Sequence, residues 1–208
     1  TALKDETTTT RSSHKKATII TSLKYTISEH PHPIDGYLER ELKAFLTTAL
    51  AKVGDVKIRR CGILLFTAAA HHKPQLVRNE LGAYMPALYA ETPTDAQMIR
   101  SLSLGPFQHR VDDGLELRKA AFECLDILLD NTTTASLLEY LNDYSAFITH
   151  LQYGLTDENA DIRTLAHLMV CKLTKIQSAI QPLLLALTEM TANLHKTITT
   201  KPKQNAVQ

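Results

Sequence analysis

Apolar residues recur every three or four positions through most of this chain, and the recurrence comes in blocks. Leu117, Ala120, Ala121, Cys124, Leu125 and Leu128 fall on one stripe, and Ile162, Leu165, Ala166, Met169, Val170 and Leu173 fall on another. Spacing at i, i+3, i+4 and i+7 collects side chains on one face of a helix. Two earlier blocks, "KKATIITSLKYTI" from Lys15 and "IRRCGILLFTAAA" from Ile58, share the design: a basic residue, small or apolar neighbours, then an apolar helix. Three have an acidic lead-in: Asp55 before Arg59, Asp112 and Asp113 before Arg118, Asp157 and Asp161 before Arg163. Carboxylates suit a helix start, where free N–H groups and the dipole attract negative charge. Asp55, Arg59, Asp113, Arg118, Asp161 and Arg163 are therefore expected to shape the repeat.

Between these blocks lie four partner helices, beginning near Pro33, Lys73, Thr134 and Ile180. Pro33 and Pro74 stand near helix starts, where a missing N–H costs little, and Pro86 lies inside its helix. Paired antiparallel helices at a constant period predict an all-α fold, a HEAT-repeat α-solenoid wound as a right-handed superhelix. Lys16 to Arg59 is 43 residues and Arg118 to Arg163 is 45, each one repeat, whereas Arg59 to Arg118 is 59. The surplus of about 15 falls on Pro93 to Val111, read as an insertion between the two helices of one repeat. The expected layout is a polar Thr-rich linker or disordered stretch over 1–11, about four to five repeats over 12–200, incomplete at both ends, and a disordered tail over 201–208.

The insertion changes period. "MIRSLSLGPFQHRV" (98–111) alternates apolar and polar residues on both sides of Gly105-Pro106. A two-residue loop with Gly at the positive-φ position predicts a β-hairpin. Leu104 then faces Phe107, Leu102 faces His109 and Arg100 faces Val111. Leu102, Leu104, Phe107 and Val111 share one face, and Ser101, Ser103, Gln108 and Arg110 take the other. An isolated hairpin is marginal in water, so its apolar face either covers the repeat's own helices or wedges into a partner.

Composition narrows the chemistry. With 23 Lys and Arg against 22 Asp and Glu the net charge is +1, which gives no field for nucleic acid or an anionic membrane. The longest apolar run, Cys61 to Ala70, is half of what a membrane span requires. The N-terminus carries no signal-peptide pattern, and Cys61, Cys124 and Cys171 stand far apart, which points to free thiols in a reducing, intracellular compartment. The metal candidates, "HPHP" at 30–33 and His71-His72, lack zinc-like partners. No phosphate loop, nucleophile elbow or HExxH occurs, so neither catalysis nor a cofactor is expected.

Four stretches together carry a resemblance: "ISEHPHPID" (27–35), "AAHHKPQLVR" (69–78), "LGPFQHRVDDGLELRKAAFECL" (104–125) and "TTKPKQNAVQ" (199–208). From about residue 17 onward the chain resembles the C-terminal HEAT-repeat part of the cullin-associated and neddylation-dissociated proteins, with a fungal homologue as the expectation. The resemblance implies a non-catalytic scaffold that binds an unneddylated cullin–RING ubiquitin ligase through the cullin's N-terminal region. It implies exchange-factor action, with a hairpin intruding where the adaptor of the substrate receptor docks, and a second chain supplying the remaining repeats. By position that hairpin is Ile99, Arg100, Leu102, Leu104, Gly105, Pro106, Phe107, His109 and Arg110, with Leu102 to Phe107 as the wedge. Lys16 stands where the family's first repeat carries Arg, and Ser101 and Ser103 where its first hairpin strand tends to be acidic. The other readings are a HEAT-repeat transport receptor or phosphatase-type scaffold, binding through its concave face and indifferent to the hairpin, and an enzyme or metalloprotein.

Overall fold

A computed structural model of the chain describes residues 2–29, 35–51, 55–105, 107–130 and 144–199. They form helices α1 (Ala2–Glu29), α2 (Asp35–Leu50), α3 (Val56–His72) and α4 (Leu81–Tyr89), strands β1 (Ile99–Leu104) and β2 (Phe107–Asp112), and helices α5 (Leu115–Asp130), α6 (Tyr144–Leu155), α7 (Ala160–Leu173) and α8 (Gln177–Thr199). The fold is an all-α HEAT-type array of helix pairs with one inserted hairpin. The chain divides into two compact units, Thr1–Asn142 and Asp143–Gln208.

In the first unit α3 lies at the centre, packed against α1, α2 and α5, while α2 also meets α4. First helices thus stack on first helices and second on second, as nearest-neighbour repeats require. A helix covered on several sides must be apolar on several faces, and Ile63, Leu65, Phe66, Ala69 and Ala70 of α3 are all fully buried. Gly62 lets α2 come close: a Cβ there would lie 2.9 Å from Ala49 Cβ and 3.2 Å from its backbone carbon. The predicted stripe of α5 from Leu117 to Leu128 is buried throughout. Cys124 is a core residue of that stripe, and burial pushes its thiol up to about 12, where it is inert.

The stacking corrects the placement of the insertion. α3 and α4 form one pair, their rings Phe66 and Tyr84 meeting edge to face at 5.4 Å, and α5 stacks on α3 as the first helix of the next repeat. Residues Pro93 to Val111 therefore join successive repeats and do not separate two helices of one. The residues from Ala2 onward, expected as a linker, belong to α1. Each Thr costs a helix only about 0.5 kcal/mol, and extending an existing helix needs no new nucleus. Further along α1, Thr18, Thr21, Ser22, Thr26 and Ser28 donate their hydroxyls to carbonyls four residues back.

The single helix expected from Lys73 is broken into two 3-10 turns, Pro74–Leu76 and Arg78–Glu80, ahead of α4. Asp35, the first residue of α2, accepts from Lys73 Nζ at 2.5 Å and from Gln75 Nε2 at 3.1 Å, which holds the Pro74 turn against α2. Val77, at φ −121° and ψ −18°, then leaves helical geometry before α4 starts.

The second unit is built from α6, α7 and α8, each packed on the other two. Phe147, Leu151, Leu155, Ala166, Met169 and Leu173 form its core. Gln152 bridges to α8, donating to Glu189 at 3.0 Å and accepting from Asn193 at 3.2 Å. Of the stripe predicted for α7, Ile162, Ala166, Met169 and Leu173 are buried, while Leu165 and Val170 are half-buried. The helix expected near Ile180 is α8, and Leu184, Leu185 and Leu187 on it are exposed, Leu185 at 78%. The helix start expected at Thr134, Pro33 and the tail 201–208 lie outside the described residues.

Candidate docking hairpin

The hairpin forms in the register its alternation dictates: Arg100 opposite Val111, Leu102 opposite His109, Leu104 opposite Phe107. A one-residue slip would exchange its two faces, and the turn forbids it, since Gly105 takes φ +64°, a left-handed geometry that other residues adopt at a cost. Gly105→Val is expected to cost about 1–2 kcal/mol at this turn. The Leu102–His109 cross-strand NOE should disappear while the helical circular dichroism stays unchanged.

Its root is held by backbone and side-chain hydrogen bonds, one of them to α5. Asp113 N donates to Met98 O at 3.0 Å, closing the ladder below β1. The Asp112 carboxylate accepts from Gly114 N at 3.0 Å with one oxygen and from Arg118 Nη1 at 2.9 Å with the other. Arg118 is a buried side chain of α5, so the end of β2 is tied to a group the core holds in place. Asp113 takes a forked pair from Arg100, Nε at 2.6 Å and Nη2 at 3.0 Å, which keeps Arg100 firmly protonated. That pair is exposed and contributes little to stability. A cavity of about 350 Å³ lies at this root, lined among others by Glu91, Met98, Leu117 and Arg118.

Beyond the root the hairpin is solvated. Arg100, Ser101, Leu102, Ser103, Gly105, Gln108, His109 and Arg110 are exposed, Leu102 at 40%, while Ile99, Val111 and Asp112 are half-buried. At these positions the strands do not lie down on the helices. Pro106 and the side chains of Leu104 and Phe107 lie outside the described residues.

The repeat-shaping residues are redistributed. Asp55 caps α3 as expected, accepting from Lys57 N at 2.8 Å. Arg59 reaches elsewhere, to Glu91 at 2.5 Å, in an ion pair buried on both sides. Asp113 binds Arg100, and Asp112 is the acid that meets Arg118. Arg163 donates to the carbonyls of Asp157 and Glu158 at 2.7 and 2.8 Å. The cap of α7 is Asn159, bonded to the N–H groups of Asp161 and Ile162. Glu91 and Asn159 had no mark in the pattern: Glu91 lies 32 residues from its partner. Asn159 could have been found, because Asn, Asp and Ser lead the preferred caps.

Among the described residues no cluster of His, Cys, Asp and Glu is placed to hold a metal ion. The histidines of 30–33 lie outside them. His71 and His72 end α3, and His72 is held below the usual histidine range, first by burial and then by the charge of His71. No described helix is long and apolar enough to cross a membrane.

The sequence has counterparts among known proteins. Residues 76–208 match the model of the TIP120 family, described as TATA-binding protein interacting (TIP20). The chain belongs to the TIP120 family. The family match takes in the hairpin, its root and the whole second unit. Over 202 residues the chain is 40% identical to the cullin-associated NEDD8-dissociated protein 1 of Arabidopsis thaliana, covering 97% of this chain and 16% of that protein. It is 38% identical over 194 residues to the protein of the same name from Dictyostelium discoideum, covering 93% and 15%. From Emericella nidulans a C-terminal part of such a protein is 32% identical over 194 residues, covering 93% and 18%. The chain thus spans about a sixth of these relatives, and its resemblance to the C-terminal part of such proteins is shown.

Proposed function

We propose that this chain is a non-catalytic, cullin-docking part of a regulator of cullin–RING ubiquitin ligases, working in the cytoplasm and nucleus. The hairpin is its wedge: it occupies the surface where the adaptor of the substrate receptor docks on an unneddylated cullin, and so drives receptor exchange. The observation that carries this reading is the exposed strand pair on a fixed root. An edge with Leu102 in water, held by Asp112 to the buried Arg118, is pre-organised to insert into a neighbour. The relatives' names associate them with cullins, which supplies the partner. Further HEAT repeats on a second chain belong to the same proposal, gripping the rest of the cullin.

The test is a pull-down of unmodified cullin–RING complex with the chain and with a variant in which 98–111 is replaced by a short Gly-Ser loop. The variant is expected to keep its helical fold and to lose displacement of the adaptor. Displacement at the wild-type level would sink the wedge and move binding to the helix faces, as in a transport receptor or phosphatase-type scaffold.

A further inference from the structure

Many hydroxyls of the described helices are spent locally. Those of Thr18, Ser22, Thr26, Thr67, Thr149 and Thr164 all donate to helix carbonyls four residues back. Ser103 sits instead on an exposed strand, where no such carbonyl lies behind it. Three residues before it stands Arg100, also exposed, and an apolar residue, Leu104, follows it. No other Arg in the chain is followed three residues later by Ser or Thr. Serine kinases of the basophilic class bind an extended segment and seat a guanidinium at that distance against their own carboxylates. β1 is already extended, and a two-stranded hairpin opens locally at small cost. The pair of Arg100 with Asp113 lies on the surface, exposed on both sides, so the guanidinium is accessible to a partner's carboxylates.

We propose that Ser103 is the acceptor of an Arg-directed serine kinase, and that its phosphorylation releases the hairpin from its partner; the second half rests on the docking reading above. The Ser103 hydroxyl oxygen attacks the γ-phosphorus of ATP, the bond to the bridging oxygen breaks, ADP leaves, and the hydroxyl proton passes to the kinase's base. The product carries nearly two negative charges beside the tip. On the same hairpin face, Arg110 lies diagonally across the ladder, within reach of the new phosphate. A hydrated dianion there resists burial, so the wedge cannot be desolvated against its partner.

The whole 208-residue chain is incubated with ATP and the catalytic domain of a calmodulin-dependent kinase, and the modified peptide is located by mass spectrometry. Phosphate is expected on Ser103, absent in Ser103→Ala and retained at the same site in Ser101→Ala. Arg100→Ala should lower kcat/KM by about tenfold or more, as loss of a charged hydrogen-bonded contact does. Asp113→Asn breaks the same surface pair but keeps Arg100, and should leave the rate at or above wild type. Phosphate on another residue, none at all, or equal lowering in both variants would overturn the site. In the second arm, binding to unmodified cullin–RING complex is compared for the phosphorylated, unphosphorylated and loop-replaced chains. Phosphorylation should weaken binding by about tenfold or more. Undiminished binding of the phosphorylated chain, with binding lost in the loop variant, overturns the switch and leaves the docking reading intact. Wild-type binding by the loop variant overturns both, and the mass-spectrometric arm still decides the site.

Discussion

Replacing Glu91 by Ala is expected to destabilise the first unit by about 3–5 kcal/mol, the usual cost of orphaning one member of a buried ion pair. Arg59 and Glu91 are 4% and 8% exposed, and their 2.5 Å contact is the charge compensation the guanidinium has there. Arg59 Nε is buried without a hydrogen-bond partner, so the guanidinium is under-satisfied even in the native state. Removing the carboxylate leaves a buried cation with neither water nor counter-ion. Urea denaturation of the 208-residue chain followed by helical circular dichroism should read the loss directly. A double variant, Arg59→Met with Glu91→Leu, should recover most of it, since apolar side chains of similar volume avoid the desolvation cost. A loss below about 1 kcal/mol in Glu91→Ala would mean that the pair is solvated in solution.

Phe66→Ala should cost about as much, roughly 3–5 kcal/mol, by a different route. Phe66 is fully buried in α3, the helix on which α1, α2 and α5 pack, and its ring meets Tyr84 edge to face. Truncation loses the transfer energy of the ring, leaves a cavity and removes an aromatic pair contributing about 0.5–1.5 kcal/mol. Tyr84 stays un-ionised throughout the working range, because burial first and Glu80 second push its phenol up to about 12. The measurement is the same denaturation curve. Phe66→Leu, which keeps most of the volume, should recover more than half of the loss.

What the sequence disclosed follows the range of each interaction. The hairpin register was legible because alternation and the Gly105 turn are both local, and the stripe of α5 because a single helix writes its own period. The repeat interval was legible as well, since a repeat prints the same spacing again, but which helices pair was not. The partner of Arg59 was not, because the pair closes across a helix and a turn, 32 residues apart in the chain. The break after Lys73 escaped for the same reason: it depends on Asp35, 38 residues away. Misplacing the insertion within a repeat came from counting residues alone, which fixes how many are extra but not which helix they precede. Ser103 needed both levels, a motif in the sequence and a strand to expose it.

The fastening of the hairpin root has a mechanical consequence. A strand of six residues extends about 20 Å from its anchored end. With Asp112 bonded to both Gly114 N and Arg118, the pivot belongs to the first turn of α5 and turns with it. A tilt of about 10° at that turn sweeps the Gly105 tip through about 3.5 Å, roughly one residue of strand. The repeat stack therefore has long-lever amplification at this point: a small adjustment between adjacent helices becomes a displacement at the tip large enough to engage or clear a neighbouring surface.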